Sequence, residues 1–576
     1  MNIKKRQINK EVYQDALEHD FPEVIAHILA GRLDQFDENF IDAPPSCVLP
    51  ASSMTDCPKA AKRIAKAITE GQKILIFTDY DVDGCTSMAI LYRAMRDVFS
   101  VPENLLVQLT GHRTKDGYGL TENVAQQIID VSPALVITAD AGSSDHDRLT
   151  QLSRTNIDVI VTDHHLLPVE GVPDGAYAVV NPQREDCPYD SEIAGCGVAW
   201  LLMTAVSQEL VCDKEARIKL LKLLDFVALG TVADMVKLNS PINRYFVKKG
   251  LEFMNQLDRE CWRLAFCGKP AKVGILGFQV GPRINATPRM TGKIDTAIKF
   301  LVSEDPDEIR QSYDAMDFYN DQRKDIEKDM LDLARQQYVE GVPHVIAHHE
   351  SFDPGVQGIV ASKLVDEFGV PAIMLSNLND SDYIVGSGRA GQFLHLRDAL
   401  QFIDDHCPGL LKSFGGHKAA AGLKFHKDNL LLFKEVFMEA VEQQFKDQDI
   451  TPFIRTDGAL NSNLCLETHY NISRLSPFGM GFSTPIFSDT MKVTEARMVG
   501  GNPVHLSMRL DGIKAIQFYA IDNPEDPMPV KVGDTVDVVY NTDVNEFRGN
   551  VELQLMVKRI EVNKSILLRC PDQSLI

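Results

Sequence analysis

In Thr78-Asp79-Tyr80-Asp81-Val82-Asp83-Gly84, three carboxylates stand on alternate residues directly after the apolar run Ile74-Leu75-Ile76-Phe77. In an extended segment, alternation sends Asp79, Asp81 and Asp83 to one side. Three anions crowded at the end of a buried strand repel one another unless a cation sits among them. Hard oxygen ligands at such a spot suit Mg²⁺ or Mn²⁺. An acidic turn in water or a calcium loop would use the same residues. The calcium loop also needs further oxygen ligands and a closing Glu, which the sequence lacks at the required offsets.

Two more apolar runs end the same way. Ala134 to Thr138 leads into Asp140-Ala141-Gly142, and Ile157 to Thr162 leads into Asp163-His164-His165. One Asp after a strand is usually a turn or a helix cap. Three strand ends of this kind on one side of a sheet are poorly explained by independent turns. Carboxylates and imidazoles with room for bridging water suit a pair of divalent ions that activate water for attack on phosphorus. Adjacent histidines suggest divided duties, one as a ligand and one facing the scissile phosphate.

These residues must be held by a particular architecture. A further strand over Ala176 to Val180 and a helix over Ser87 to Phe99 complete a β-α alternation. That alternation predicts an α/β domain with a doubly wound parallel sheet, its chemistry at the carboxyl ends of the strands.

The four segments Asp79 to Gly84, Asp140-Ala141-Gly142, Asp163-His164-His165 and Ala228 to Asp234 resemble the signature motifs of the DHH phosphoesterase superfamily. Gly117-Tyr118-Gly119-Leu120, Ala194 to Trp200, Asn243-Arg244, Gly281 to Ala286, Asp353 to Ser362 and Ser387-Gly388-Arg389 resemble the RecJ family of single-stranded-DNA exonucleases. Phe414 to Gly422 is similar to the glycine-rich motif of the DHH-associated (DHHA1) domain. The likeness runs from about residue 45 to about 560, in the family's order. Two departures stand out: Asp140-Ala141-Gly142 replaces Asp-Asn-Gly, and Ala286-Thr287-Pro288-Arg289 replaces Ala-Ala-Gly-Arg.

The resemblance implies an exonuclease degrading single-stranded DNA from the 5′ end to mononucleotides, in repair and recombination, with two Mn²⁺ or Mg²⁺ ions. It implies Asp81, Asp83, Asp140, His164 and Asp234 as metal ligands, Asp79 in support, and His165 donating to a phosphoryl or leaving-group oxygen. Arg283, Arg389, Gly415, Gly416, His417 and Lys418 would hold flanking phosphates, the glycines as loops where bare backbone approaches the anion. Two rival readings are a hydrolase of short oligonucleotides, cyclic dinucleotides or pyrophosphate, and a non-catalytic scaffold on the same fold. The length and the C-terminal barrel argue against the first. Asp or His at every ligand position argues against the second.

Five regions are expected. They are a helical arm (1–45), the catalytic DHH domain (46–304), a connecting helix (305–340), a smaller α/β DHHA1 domain (341–447) and an oligonucleotide-binding (OB)-like β-barrel (448–576). Asp305-Pro306-Asp307-Glu308 is a strong helix start, and the chain from there to about Tyr338 is nearly free of helix breakers. His348-His349 lacks carboxylate neighbours and reads as structural. In the barrel, Arg497, Arg509, Phe518, Tyr519, Phe547 and Arg548 are candidates for strand binding. Lys and Arg total 59 against 81 Asp and Glu, a net charge of −22 that excludes indiscriminate coating of nucleic acid. Eleven scattered cysteines without zinc spacing, and no transmembrane-length apolar run or signal core, predict a soluble, cytoplasmic monomer. Expected partners are single-stranded DNA, a single-strand-binding protein and a helicase, with no membrane.

Overall fold

The computed structural model describes residues 2–378, 381–446, 448–547 and 549–563. The chain divides into two units, one of 1–44, 237–241 and 453–576, the other of 45–236 and 242–452.

The larger unit begins with a five-stranded parallel sheet. Across it run Leu106–Thr110, Ile74–Thr78, Leu135–Ala139, Asp158–Thr162 and Ala178–Val180. Counted along the chain the order is 2-1-3-4-5, a doubly wound arrangement whose switch point lies between the first and third strands. Leu75, Phe77, Val136, Val159 and Val161 pack on one face against helices Glu122–Val131 and His146–Ser153. Ile74, Ile76 and Ile137 point the other way and are equally buried, so both faces are covered. The strand Leu106–Thr110 escapes the sequence pattern because most of it is only half-buried at the sheet edge.

The spacing predicts that extended structure carries Asp79, Asp81 and Asp83 to one side, with a helix starting near Ser87. Instead the strand stops at Thr78, and the helix Val82–Arg93 starts earlier, with Asp81 as its N-cap. The carboxylates meet through a sharp strand-to-helix turn. Asp234 follows a helix, Leu224–Ala233, and not a strand. The apolar run there is a helix buried all round, which its composition does not distinguish from a core strand.

The helix Pro306–Arg335 starts as expected, with Asp305 accepting from the Asp307 amide at 3.0 Å. After it comes a mixed sheet ordered Leu411–Gly416, Ala420–His426, Tyr383–Arg389, Ala372–Asn377 and Val345–His348. Its core holds Ile373, Leu375, Leu423, Phe425, Phe433 and Phe437. Gly386 to Arg389 and Gly415-Gly416 are therefore strand residues and not loops. Packing explains Gly386 and Gly388: an added Cβ would lie 2.7 Å from Leu375 and 2.8 Å from Leu396. Gly416, at φ +135°, leads into the hairpin turn, where a Cβ would meet the Ala420 carbonyl at 2.4 Å.

The smaller unit is a closed five-stranded barrel of Phe487–Val499, His505–Leu510, Ile513–Gln517, Asn550–Val562 and Thr535–Phe547. Phe487 and Met491–Val493 lie in one continuous strand, Phe487–Val499, whose pairing shifts register just after Val493. Helices Lys10–Glu18 and Glu23–Ala30 join this unit, and Ile3–Lys5 pairs in parallel with Ile454–Thr456. Arg32 clamps Asp457 with two hydrogen bonds, of 2.6 and 2.9 Å.

Candidate metal centre

Asp79 follows the first strand and Asp140 the third, so the two carboxylates flank the switch point of the sheet. Asp140 adopts φ +59°, a left-handed conformation that turns the chain at the strand end, while its amide donates to the Thr162 carbonyl at 3.0 Å. Ligand atoms of Asp79, Asp81 and Asp140 lie within 4.8 Å of one another, as do those of Asp83, His164 and Asp234, and of Asp140, His164 and His165. The strand ends and one helix end thus bring all seven residues singled out in the motifs together.

Asp83 has a seat of its own. Its carboxylate accepts from the Gly195 amide at 2.6 Å and the Cys196 amide at 3.0 Å, at the start of helix Gly195–Glu209. Bare glycines make that approach feasible: a Cβ on Gly195 would stand 3.0 Å from Asp83 Oδ2, and one on Gly230 2.8 Å from Asp83 Oδ1. Asp163, the first residue of its motif, belongs to none of these groups. It accepts from the Ser143, His164 and His165 amides and from His165 Nδ1. Burial alone would raise its pKa, but the hydrogen bond and charge of His165 hold it below the usual carboxylate range.

The donor set fits divalent cations. His164 Nε2 lies 3.2 Å from Asp140 Oδ1, 3.6 Å from Asp234 Oδ2 and 3.7 Å from Asp83 Oδ2. His164 Nε2 and Asp140 Oδ1 are buried and lack a hydrogen-bond partner among the described residues. Burial and the Asp81 charge push Asp79 up to about 7, and burial with Asp83 and Asp81 pushes Asp234 up to about 8. Burial and neighbouring carboxylates raise Asp81 and Asp140 as well. Cations among these oxygens would relieve the repulsion.

His165 is set apart. Its Nδ1 contacts Asp163 at 2.8 Å and the Tyr118 hydroxyl at 3.0 Å, and its side chain is 46% exposed. Burial opposes its charge, yet Asp163 outweighs burial and raises the pKa to about 9. Tyr118 also donates to the Asp140 carbonyl at 3.3 Å. Asp225 is structural: Arg259 and Trp262 hold one of its oxygens at 2.6 and 2.8 Å.

Cations gather around Arg289. Arg289 is pushed down to about 10 by burial and by the nearby charges of Arg113, Arg323 and Arg389, with Asp81 acting in the opposite sense. Arg389 bonds its own strand, Ser387 Oγ at 3.2 Å and the Gly388 carbonyl at 2.8 Å, and forms no ion pair among the described residues. Arg283 pairs with Asp317 at 2.8 Å. Gly415, Gly416, His417 and Lys418 are exposed on the hairpin, and among the described residues none bonds the carboxylate cluster. Arg113 is absent from the expected set, because its cluster assembles only through tertiary contacts. In the barrel Phe518 and Tyr519 are exposed; Arg548 and the Phe547 side chain lie outside the described residues.

Family models for the DHH family N-terminal domain, the DHHA1 domain and the RecJ OB domain match residues 73–231, 340–447 and 456–559. The single-stranded-DNA-specific exonuclease RecJ of Haemophilus influenzae is 33% identical over 550 residues, 90% of this chain and 93% of that one. The protein of the same name from Escherichia coli is 32% identical over 544 residues, 89% of this chain and 91% of that one. Among solved structures, RecJ from Thermus thermophilus in complex with Mn²⁺ shares the fold, with TM-score 0.80 and 24% identity over 97% of this chain and 79% of that one. An exonuclease RecJ bound to manganese matches with TM-score 0.59 and 26% identity over 71% of this chain and 99% of that one. The chain belongs to the RecJ family of single-stranded-DNA-specific exonucleases.

Proposed function

We propose that this chain is a metal-dependent exonuclease that hydrolyses single-stranded DNA from the 5′ end to mononucleotides, in DNA repair and recombination. The observation that carries the reading is the pair of buried orphan atoms, His164 Nε2 and Asp140 Oδ1, set among carboxylates from three motifs. Two Mn²⁺ or Mg²⁺ ions would be held by Asp79, Asp81 and Asp140 on one side and Asp83, His164 and Asp234 on the other, with Asp140 placed to serve both. When bound, such a pair activates water and neutralises charge growing on the phosphoryl oxygens.

The remaining duties fall to protein groups. Asp163 and Tyr118 engage Nδ1 of His165, which leaves Nε2 to donate to a phosphoryl or leaving-group oxygen. Arg289, with Arg113 and Arg389 near it, would supply positive charge for the phosphates next to the cleaved bond. The Gly415–Lys418 hairpin and Arg283 contact phosphates farther along. The division into arm, DHH domain, connecting helix, DHHA1 domain and barrel gives a cutting site and a separate binding module. A single-strand-binding protein and a helicase are the partners such an enzyme calls for. A cytoplasmic location fits ten described cysteines that are all free. No described helix is long and apolar enough to cross a membrane.

The test uses single strands labelled at either end, with Mn²⁺ or Mg²⁺. Mononucleotides released at once from a 5′ label, and late from a 3′ label, are expected. Oligonucleotide products, or early loss of the 3′ label, would overturn the reading.

A further inference from the structure

We propose that Phe278 and Phe318 form a base-stacking platform around the Arg283 guanidinium, over which the single strand passes beside the carboxylate cluster. The proposal rests on the single-stranded-DNA reading above and adds a recognition element on the catalytic unit. Phe278 is 85% exposed and Phe318 59%. One exposed ring needs no explanation; these two each adjoin a residue that a single cation bonds. Arg283 donates from one terminal nitrogen to the carbonyl of Gln279, next to Phe278, at 2.9 Å. Its Nε donates to Asp317, next to Phe318, at 2.8 Å. The guanidinium itself lies over the Tyr313 ring, 5.8 Å from its centre.

The backbone around Phe278 is unusual. Leu276–Val280 is a single π-helical turn between Val273–Ile275 and Gly281–Thr291, an irregularity often found at functional sites. Leu276 and Val280 anchor the turn in the core, while Phe278 and Gln279 stand in solvent. The glycines on either side show how near the turn comes to the carboxylates. A Cβ on Gly277 would lie 3.5 Å from Val232, and one on Gly281 would lie 3.6 Å from Ala233 and 4.0 Å from Val82. Ala233 precedes Asp234, and Val82 separates Asp81 from Asp83. The turn therefore lies beside residues adjacent in sequence to three carboxylates of the centre.

Aromatic faces interleaved with a cation suit a single strand, because every base offers a π-face and the backbone offers phosphates. Asp317 partly neutralises Arg283, so stacking and not charge dominates here. Such a platform is indifferent to sequence and would keep the strand from sliding back between cuts.

The experiment places one abasic residue at successive positions of a single-stranded oligonucleotide. KM with Mn²⁺, and metal-free affinity by fluorescence anisotropy, are read for wild type, Phe278→Ala and Phe318→Ala. In the wild type, an abasic residue over the platform weakens binding, with a matching rise in KM. Each alanine variant weakens binding of the intact strand by about fivefold or more and no longer senses the abasic residue at its own position. Unchanged melting temperatures separate this from a structural defect, since both rings are exposed. Wild-type affinity in both variants, or an undiminished abasic penalty, overturns the platform. A wild type that binds the strand without cutting it defeats the proposed function and leaves the platform judged by affinity. A wild type that binds no strand overturns both.

Discussion

His164 Nε2 and Asp140 Oδ1 lie 3.2 Å apart, both buried and both without a hydrogen-bond partner among the described residues. A buried polar atom without a partner costs roughly 1–3 kcal/mol. The fold tolerates two of them side by side, with Asp83 and Asp234 close by. Stability alone does not explain that arrangement. A site that gains its remaining interaction from a cation does.

Asp140→Asn tests this directly. Removing the charge relieves repulsion with Asp83, Asp81 and Asp79, the neighbours that raise the Asp140 pKa together with burial. The metal-free variant should melt at least as high as the wild type. Mn²⁺ should raise the wild-type melting temperature and leave the variant nearly unmoved, because a ligand stabilises only the state that binds it. Turnover should fall about 100-fold or more. An undiminished Mn²⁺ shift in the variant would remove Asp140 from the centre.

Gly230→Ala should disable the site without replacing a ligand. Its new methyl would stand 2.4 Å from Thr86 Oγ1, 2.5 Å from Cys196 Sγ and 2.8 Å from Asp83 Oδ1. Overpacking of this kind costs about 1–3 kcal/mol. The displaced Asp83 should cost far more in kcat than in stability. A lowered melting temperature with unchanged turnover would show that Asp83 tolerates movement.

Tyr118→Phe removes one contact of His165 and leaves Asp163 in place. We expect a drop in kcat of about tenfold with KM little changed, smaller than the general-acid loss of about 100-fold or more from His165→Ala. If the hydroxyl acts through the imidazole, the double variant should match His165→Ala alone. Additive losses would assign Tyr118 a separate role.

The candidate ligands stand out in the sequence because each motif is local, an apolar run ending in Asp or His. Their geometry does not. Whether Asp81 ends a strand or caps a helix depends on where the strand Ile74–Thr78 stops, and the apolar alternation does not mark that point. Asp234 shows the same limit, since a fully buried helix and a buried strand share one composition. The seat of Asp83 joins residues 112 and 113 positions away, and the clustered cations Arg113, Arg289, Arg323 and Arg389 come from four separate segments. Gly386 and Gly388 carry a phosphate-loop appearance, yet neighbouring leucines need the space. The short strand Ile3–Lys5, two of its three residues charged, has no pattern to announce it.

That strand and the Arg32–Asp457 pair make the N-terminal arm part of the barrel unit, which sharpens the truncation experiment. Asp457 accepts both Arg32 bonds, approaches Arg6 at 3.3 Å and takes the Ile486 amide at 3.0 Å. Removing only residues beyond 452 would strip Arg32 of Asp457 and of the Ser483 carbonyl it also bonds. Breaking such a pair costs about 3–5 kcal/mol. Asp457→Ala in the full chain should therefore lower the melting temperature of the barrel unit, while the catalytic unit melts as before. Removal of 453–576 together with 1–44 should be tolerated better than removal of 453–576 alone. The doubly trimmed chain should still cleave short single strands in Mn²⁺, with weaker and less salt-sensitive binding of long ones, because the barrel's phosphate contacts are gone. Unchanged salt-dependent affinity for long strands would take the barrel out of substrate binding.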